Sequence, residues 1–437
     1  MNILRPLLGL LVFMAVLYAL SENRRRINWR LIAGGMTLQL LLAAAFLKTE
    51  IASALLSPVA SFFVQITDFS HAGATFLFGG LVDVPAMKLA VGSNQAYIFA
   101  FHVLPTIIFF SALTSLLYYL GILQRIVFAF AWLMKRVMRL SGAESLAAAG
   151  EVFLGQTESA LLVKPYVPTM TRSELITMMI GGMATIAGGV MSAYISMLGG
   201  EDRAAQEHFA RLLLCASLMS APAAIVVAKM LVPETHPVDE SLQVPQENSG
   251  ANFFDALAKG TTEGLHLALN VGAMLIAFIA FAAMMNGALT WIGSIIPAGS
   301  GTSLNQWITS VSGGVFTSLS LTSIFGTLMA PAAWLIGVDD ADLLRAGQLL
   351  GTKLALNEFV AYDSLSKMTS LLQERTVFLM SFALCGFANL GSIGIQIGGM
   401  GVLAPAQRPA LAALGVKALI GGTIATMMTA TIAGLLH

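Results

Sequence analysis

The 437-residue chain is 57% hydrophobic and only 11% charged, with a mean hydropathy of +0.81. A soluble domain carries about a quarter charged residues, so this composition excludes a soluble protein and predicts an α-helical protein that crosses a membrane several times. Basic and acidic residues both total 23, so no net charge favours a nucleic-acid partner.

The apolar segments and the basic residues between them predict the order of the spanning helices. Arg24, Arg25, Arg26 and Arg30 follow the first apolar segment, which places that loop in the cytoplasm and the N-terminus outside. Continuing from this orientation, the C-terminus is also expected outside. Eight spanning helices are predicted, over residues 3–20, 31–47, 97–123, 175–198, 208–232, 264–296, 375–402 and 410–436.

Three segments between these helices have a different character. Residues 51–88 are less regular and are expected to form an external amphipathic segment and loop. Residues 125–140 end in a basic cluster and predict an amphipathic helix on the cytoplasmic interface. Residues 233–252 contain three prolines and no apolar periodicity, which predicts a cytoplasmic linker between two halves.

These segments predict five parts along the chain. They are N-terminal spanning scaffold helices over 1–122, a first transport repeat over 123–232, the linker over 233–252, a scaffold helix over 253–300, and a second transport repeat over 301–437.

One short polar stretch interrupts the apolar sequence of the first half. Gly155-Gln156-Thr157-Glu158 places an amide, a hydroxyl and a carboxylate where the neighbouring sequence suits lipid. Polar groups at that depth need partners, and a carboxylate there is costly. Pro165 and Pro168 make a straight spanning helix unfavourable, so residues 143–169 are expected to form a re-entrant hairpin whose tip faces a cavity.

The second half repeats this arrangement. Asn357-Glu358 again places an amide and a carboxylate in an apolar run, which predicts a second re-entrant hairpin over residues 341–363. Each hairpin precedes a glycine-interrupted helix, over 175–198 and 375–402. Two hairpins that enter from opposite sides, each with a broken helix, are typical of inverted-repeat transporters, although small-residue helix faces can also resemble each other by chance.

Glu158 and Glu358 are the strongest candidates for a functional site, because an ionisable group inside a spanning region is usually functional. The alternative is a structural ion pair with Lys164 or Lys353. Glu151 is a third buried acid that could carry a proton or bind Na⁺. Uncharged donors and acceptors that suit a neutral, hydroxyl-rich solute are Gln156, Thr157, Asn357, Asn389 and Ser392, and each of these could instead serve helix packing.

These motifs, together with Phe387-Ala388-Asn389-Leu390-Gly391-Ser392 and Leu269-Asn270-Val271-Gly272, resemble the concentrative nucleoside transporter family. The likeness extends over nearly the whole chain. It implies an elevator-type homotrimer in the bacterial cytoplasmic membrane, with a scaffold domain and a mobile transport domain that holds both hairpins. Its partners would be a nucleoside, membrane lipid and two further copies of the chain, and no cofactor would be needed.

The resemblance also implies roles for individual residues. Those that match the nucleobase contacts are Gln156, Thr157 and Glu158, with Val190 in the first broken helix and the aromatic Phe387 near the substrate. Those that match the ribose contacts are Glu358, Asn389 and Ser392. Those that match the sodium site are Glu151, Leu154, Thr185 and Ile186.

Two of these positions depart from the sodium-coupled pattern. Asparagine is expected at the position of Glu151, and serine at the position of Thr185. Threonine keeps the hydroxyl, whereas a carboxylate can be protonated and an amide cannot. The coupling ion is therefore Na⁺ or H⁺, and the carboxylate favours H⁺.

The sequence therefore predicts a cation-coupled nucleoside symporter that imports nucleosides such as uridine. Two alternatives remain open. One is an elevator carrier for another small polar solute, although a dicarboxylate carrier would want arginine at the hairpin tips. The other is a membrane-embedded enzyme, for which no nucleophile, metal set or matched acid–base pair is evident.

Overall fold

The computed structural model describes residues 4–91, 98–156, 158–200, 202–237, 239, 250–298 and 301–437. These residues fold almost entirely into α-helices. In chain order the helices are α1 (Leu4–Leu20), α2 (Trp29–Lys48), α3 (Glu50–Phe78), α4 (Val84–Val91), α5 (Phe99–Tyr119), α6 (Ile122–Met138), α7 (Gly142–Glu151), α8 (Glu158–Leu162), α9 (Arg172–Ala184), α10 (Gly188–Gly199), α11 (Arg203–Leu231), α12 (Phe253–Ile295), α13 (Leu304–Val311), α14 (Leu321–Ile336), α15 (Leu343–Ala355), α16 (Glu358–Met368), α17 (Glu374–Ala383), α18 (Leu390–Leu403) and α19 (Arg408–Leu436).

Six segments of the described chain are helical, long and apolar enough to cross a membrane. They are α2, α5, the α9–α10 pair, α11, α12, and α19 with the short turn before it. Each coincides with one of the eight predicted spans. The other two predicted spans correspond to the 17-residue α1 and to the α17–α18 pair, whose apolar parts are shorter. The prediction of a multi-pass helical membrane protein is confirmed, and the count of eight stays a prediction.

Residues 51–88 were predicted to form an external amphipathic segment and loop; the loop is wrong for most of this segment, which is helical, and its external position stays a prediction. A 29-residue helix, α3, occupies most of this segment. Two polar residues on α3 have partners outside the helix: Asp68 pairs with Arg203 at 3.4 Å, and His71 Nε2 lies 3.3 Å from the carbonyl oxygen of Val82. A helix can carry such residues wherever tertiary partners satisfy them, and local sequence does not reveal those partners.

The helices form a buried core and an exposed periphery. In the apolar windows of α9–α10 and α11, 94% of the residues are buried, compared with 17% for α12 and 22% for α5. A helix buried on all sides belongs inside a large assembly of helices, whereas one that exposes most of its apolar surface faces lipid or another protein. The first broken helix, α9–α10, and α11 therefore belong to the core, while α5 and α12 lie at its periphery.

The peripheral helices α5 and α12 pack closely through small residues. A Cβ atom added to Gly260 would lie 2.5 Å from Ser115 Cβ, and one added to Gly264 would lie 2.7 Å from Ser111 Cβ. Ser115 also donates a hydrogen bond to the carbonyl oxygen of Ala256 over 2.9 Å. Small residues at both contacts let the two backbones approach, as is common between membrane helices.

A buried ion pair connects the first hairpin to the core. Lys229 on α11 pairs with Glu144 on α7 and donates to Ser173 Oγ over 2.9 Å. Glu144 also belongs to a capping box with Ser141 at the start of α7. Most of the predicted linker over residues 233–252 lies outside the described residues, but the backbone carbonyl oxygen of Asp239 accepts a hydrogen bond from the Gly142 N–H over 3.0 Å.

Candidate functional site

A cavity lies where the two hairpin tips and the two helix breaks meet α12. Its polar lining residues in the described chain are Gln156, Glu158, Asn357, Glu358, Asn389 and Ser392. Five α12 residues form an apolar wall opposite them, namely Leu267, Val271, Met274, Leu275 and Phe278. An apolar chamber with a few convergent polar groups is the usual form of a small-molecule site.

The tip of the first hairpin connects α7 to α8. Glu158 opens α8, and its carboxylate accepts a hydrogen bond from the backbone N–H of Gly155 over 2.5 Å. Gln156 Oε1 is buried and has no hydrogen-bond partner among the described residues, so it is an acceptor available to a ligand. Thr157, predicted to contact the nucleobase, lies outside the described residues.

The tip of the second hairpin is defined by its cap. Asn357 begins α16 by accepting a hydrogen bond from the Val360 N–H with Oδ1 over 3.0 Å. Glu358 is the first residue of α16 and is only 3% exposed. The positive end of the α16 dipole favours a carboxylate at this position.

Two side-chain donors among the described residues contact the Glu358 carboxylate. Tyr194 O–H donates to Oε1 over 3.1 Å, and Asn389 Nδ2 donates to Oε2 over 3.0 Å. Tyr194 lies on α10 and Asn389 at the start of α18, so both broken helices contribute to one carboxylate. Sequence reasoning missed Tyr194, because an aromatic residue in an apolar helix looks like ordinary packing.

The two helix breaks pack against each other. α9 ends at Ala184 and α10 begins at Gly188, while α17 ends at Ala383 and α18 begins at Leu390. Gly386 has φ +96°, and a Cβ atom there would lie 2.6 Å from the carbonyl carbon of Ala184. Glycine is required at this crossing both for backbone conformation and for space.

The alternative interpretation, a structural ion pair to a site acid, is not what Lys353 forms. Lys353 Nζ is buried and donates to the carbonyl oxygens of Ala383 and Cys385 over 3.0 and 3.1 Å, and to Thr426 Oγ1 over 3.2 Å. An ammonium at this position stabilises the negative C-terminal end of α17. No salt bridge to Glu158 or Glu358 occurs among the described residues.

The structure brings together every described residue that was predicted to bind substrate. Gln156, Glu158, Val190, Glu358, Phe387, Asn389 and Ser392 all line the one cavity. The apolar wall on α12 was not predicted, since nothing in an apolar helix indicates which face borders a cavity.

The residues predicted to bind the coupling cation adjoin this cavity in sequence: Leu154 precedes Gly155 and Ile186 precedes Ala187, both of which line it. Glu151 ends α7 and is 1% exposed, and its carboxylate packs against Gly181 and the Gly182 N–H in the last turn of α9. Glu151 Oε1 has no hydrogen-bond partner among the described residues. Thr185 Oγ1 donates to the carbonyl oxygen of Gly181 over 2.9 Å, so Glu151 and Thr185 contact the same residue. Leu154 and Ile186 are buried nearby in sequence.

A second cavity adjoins the first hairpin on its other side. Glu158 lines both cavities, and Lys259 and Glu263 of α12 line only the second. Hydroxyl groups from Ser111, Thr114, Ser115 and Tyr118 of α5 also line it. Glu158 is therefore the residue common to both chambers.

Three family models together match most of the chain. A model described as the C-terminus of Na⁺-dependent nucleoside transporters matches residues 212–434, and its N-terminal counterpart matches residues 8–81. A third model, described as a gate with nucleoside recognition, matches residues 100–201. That model covers the first hairpin and first broken helix, and the C-terminal model covers the second hairpin and second broken helix.

Two related proteins and one solved structure match this chain over nearly their full length. The chain is 40% identical to an uncharacterized transporter of Haemophilus influenzae, covering 100% of this chain and 98% of the relative. It is 35% identical to the nucleoside permease NupC of Helicobacter pylori, covering 98% and 96%. A structure of CNTnw in an inward-facing substrate-bound state matches with a TM-score of 0.86 and 36% identity, covering 100% and 98%.

Proposed function

We propose that this chain, which belongs to the concentrative nucleoside transporter family, imports nucleosides such as uridine together with a coupling cation. The observation that carries the proposal is the single cavity that collects Glu358, Asn389 and Ser392 on one side and Gln156 and Glu158 on the other. A nucleoside has hydroxyl groups at one end and a polar aromatic ring at the other, and these two groups of side chains suit its two ends.

The chemistry of each side chain supports a role at one end of the substrate. An ionised Glu358 accepts hydrogen bonds from ribose hydroxyls, and Asn389 and Ser392 lie beside it. Gln156 offers an amide to the base edge, and Glu158 an acceptor. Val190 and Phe387 border the cavity and supply apolar contact for the ring. Thr157 is proposed as a further base contact from the family resemblance alone.

An elevator mechanism is proposed for the movement of the substrate. The site residues come from two hairpins and two broken helices, which pack on the buried core of α11 and α19. We propose that these elements form inverted repeats with re-entrant hairpins and move as one body past α5 and α12. The predicted division of the chain at residues 122, 232, 252 and 300 belongs to this proposal.

Exposed apolar residues on the periphery suit lipid or a second copy of the chain. On α12, Ile276 is 74% exposed and Trp291 is 66% exposed. We propose a homotrimer in the bacterial cytoplasmic membrane, as the family resemblance implies, with both termini outside, as the basic residues after the first apolar segment indicate. Burial of such residues against lipid or protein is the arrangement expected of a multi-pass protein.

The coupling cation is proposed to bind at Glu151, with Leu154, Thr185 and Ile186. The Glu151 carboxylate packs against the last turn of α9, where the helix dipole is negative, and its Oε1 has no hydrogen-bond partner among the described residues. A buried carboxylate beside a negative helix end is unfavourable until a cation neutralises it. A proton or Na⁺ would serve, and we favour the proton because one protonated acid removes the charge without further ligands.

Counterflow of labelled uridine tests the proposal most directly. Proteoliposomes preloaded with unlabelled uridine should accumulate external labelled uridine transiently, because a carrier exchanges substrate across the membrane. Preloading with a dicarboxylate or an unrelated sugar serves as the control for another small polar solute. Chemical conversion of uridine would favour an enzyme. Absence of counterflow with every nucleoside tried would contradict the proposal.

A further inference from the structure

We infer that Tyr194 is a positioning residue that holds the Glu358 carboxylate in the orientation needed to accept two hydrogen bonds from the substrate. The identity of that substrate rests on the nucleoside transport proposed above, whereas the contact itself does not. Tyr194 is not among the described residues that line the cavity, so it acts on the substrate only through Glu358.

The contact joins two elements that are far apart in the sequence. Tyr194 lies in the middle of α10 and is 0% exposed, and its O–H donates to Glu358 Oε1 over 3.1 Å. Glu358 belongs to the second hairpin, 164 residues later. A hydrogen bond to an ionised group is among the stronger contacts in a protein interior, particularly where water is excluded.

Tyr194 and Asn389 together determine which acceptor sites of the carboxylate stay available. Each oxygen of an ionised carboxylate can accept about two hydrogen bonds. Tyr194 occupies a site on Oε1, and Asn389 Nδ2 occupies a site on Oε2. No other side-chain donor contacts Glu358 among the described residues, so both oxygens keep acceptor capacity for the substrate. Two adjacent acceptors suit a pair of neighbouring hydroxyl groups, which the 2′ and 3′ positions of a ribose provide.

The aromatic ring of Tyr194 is held rigidly. It stacks on Tyr362 with ring centroids 4.4 Å apart, and it meets the edge of Phe359 at 5.0 Å. With the ring fixed on both sides, the hydroxyl reaches Glu358 at little further cost in side-chain entropy. Fixing a binding group before the ligand arrives raises affinity because less ordering remains to be done on binding.

Tyr362 provides a matched control for this role. It is also a fully buried tyrosine in the same stack, but its O–H donates to the carbonyl oxygen of Ser381 over 2.9 Å and not to Glu358. Tyr194→Phe and Tyr362→Phe therefore remove the same atom from two adjacent, equally buried rings. Only the first removes a hydrogen bond from the Glu358 carboxylate.

The first measurement compares binding of uridine and 2′,3′-dideoxyuridine to the purified protein by calorimetry. For Tyr194→Phe we expect uridine affinity to fall by about tenfold or more while dideoxyuridine affinity stays within about twofold, because only uridine uses the oriented carboxylate. For Tyr362→Phe the ratio of the two affinities should match that of the wild type. Equal losses for both ligands in Tyr194→Phe, or no loss for either, would overturn the inference.

The second measurement needs no ligand. Thermal midpoints are measured for Tyr194→Phe, Glu358→Leu and the double variant, and again with Tyr362→Phe in place of Tyr194→Phe. The Tyr194 cycle should be non-additive by several degrees and the Tyr362 cycle additive, because only one pair shares a hydrogen bond. Additivity in both cycles contradicts the contact. If wild-type protein binds no uridine, nucleoside transport fails as a proposal, and this cycle still decides whether Tyr194 holds Glu358.

Discussion

Asn389 donates a hydrogen bond from Nδ2 to Glu358 Oε2 over 3.0 Å, which joins the break of the second interrupted helix to the tip of the second hairpin. The same side chain begins α18, because Asn389 Oδ1 accepts from the Ser392 N–H over 2.9 Å. One amide therefore sets both the start of a helix and the orientation of an acid. Movement of either element would disturb the other, so hairpin and helix are coupled at the site.

Glu358→Gln is expected to reduce uridine uptake at low substrate concentration by roughly ten- to hundredfold. The substitution keeps the shape of the side chain but removes charge-assisted hydrogen bonds, each with a contribution of about 1.5–3 kcal/mol. Initial uptake rates in proteoliposomes provide the measurement. Glu374→Gln, at an exposed acid on α17, is the matched control and should retain normal uptake. Near-normal uptake by a folded Glu358→Gln protein would remove this acid from the substrate site.

The local sequence predicted the polar hairpin tips and the helix breaks because each depends on only a few adjacent residues. One such signal is a carboxylate inside an apolar run, and another is asparagine or glycine where a helix restarts. Each signal spans only a few residues. Asn357 and Asn389 each cap a helix within three residues of their own position. Such features depend on short-range chemistry, which a single sequence contains.

Long-range partners could not be predicted in the same way. Tyr194 contacts Glu358 across a sequence separation of 164 residues. Lys353 donates hydrogen bonds to Ala383 and Cys385, which follow it by 30 and 32 residues. The α3 helix was missed because Asp68 pairs with a residue 135 positions away. Each of these contacts is set by how helices pack, and packing of helices leaves little trace in the composition of any one of them.

Gly386→Ala is expected to lower thermal stability measurably. Its φ of +96° is unfavourable for alanine by about 1–2 kcal/mol, and the new Cβ would overlap Ala184. Gly394→Ala is the matched control in α18, because Gly394 is exposed and has no atom within 4 Å of the added Cβ. That control should be neutral or slightly stabilising, by up to about 1 kcal/mol. Equal midpoints for both variants would show that the crossing of the two breaks tolerates a side chain.

Lys353→Met should destabilise the protein by about 1–3 kcal/mol. Methionine keeps the length of the buried chain but leaves the carbonyl oxygens of Ala383 and Cys385 without this donor. Lys367→Met is the control, since that lysine is exposed and its ion pair with Asp363 contributes about 0–1 kcal/mol. Thermal midpoints in detergent compare the two variants. A smaller effect for Lys353→Met than for Lys367→Met would contradict the capping role.

An ion-pair cluster around Glu22 predicts a stability change in acid. Burial disfavours the ionised form of Glu22, but its hydrogen bond and charge interaction with Lys417, together with the charge of Arg172, outweigh burial and lower its pKa. The stabilisation is therefore present above the unfolded pKa of about 4.3 and is lost as pH falls through the lower folded value. Thermal midpoints of wild type and Glu22→Gln should differ at neutral pH and converge in acid. A constant difference across that range would contradict the assignment.

Glu151 and Lys353 carry opposite charges, and each lies against the C-terminal end of the first half of a broken helix. Lys353 donates to the carbonyl end of α17, whereas Glu151 packs against the last turn of α9 with one oxygen unbonded among the described residues. A cation already stabilises the first of these helix ends. The second places a negative group against a negative helix end, which is unfavourable unless a cation or a proton neutralises it.

Glu151→Gln is expected to abolish coupling of uridine uptake to a pH gradient, because a neutral amide can neither bind nor release the transported proton. In sodium-free proteoliposomes, an inward proton gradient should drive concentrative uptake by the wild type, and Glu151→Gln should only equilibrate uridine. Asp363→Asn, at a partly exposed acid of the second hairpin, is the control and should keep proton-driven uptake. If wild-type uptake instead requires sodium and an imposed pH gradient drives nothing, Glu151 is a sodium ligand or a structural acid, and proton coupling is wrong.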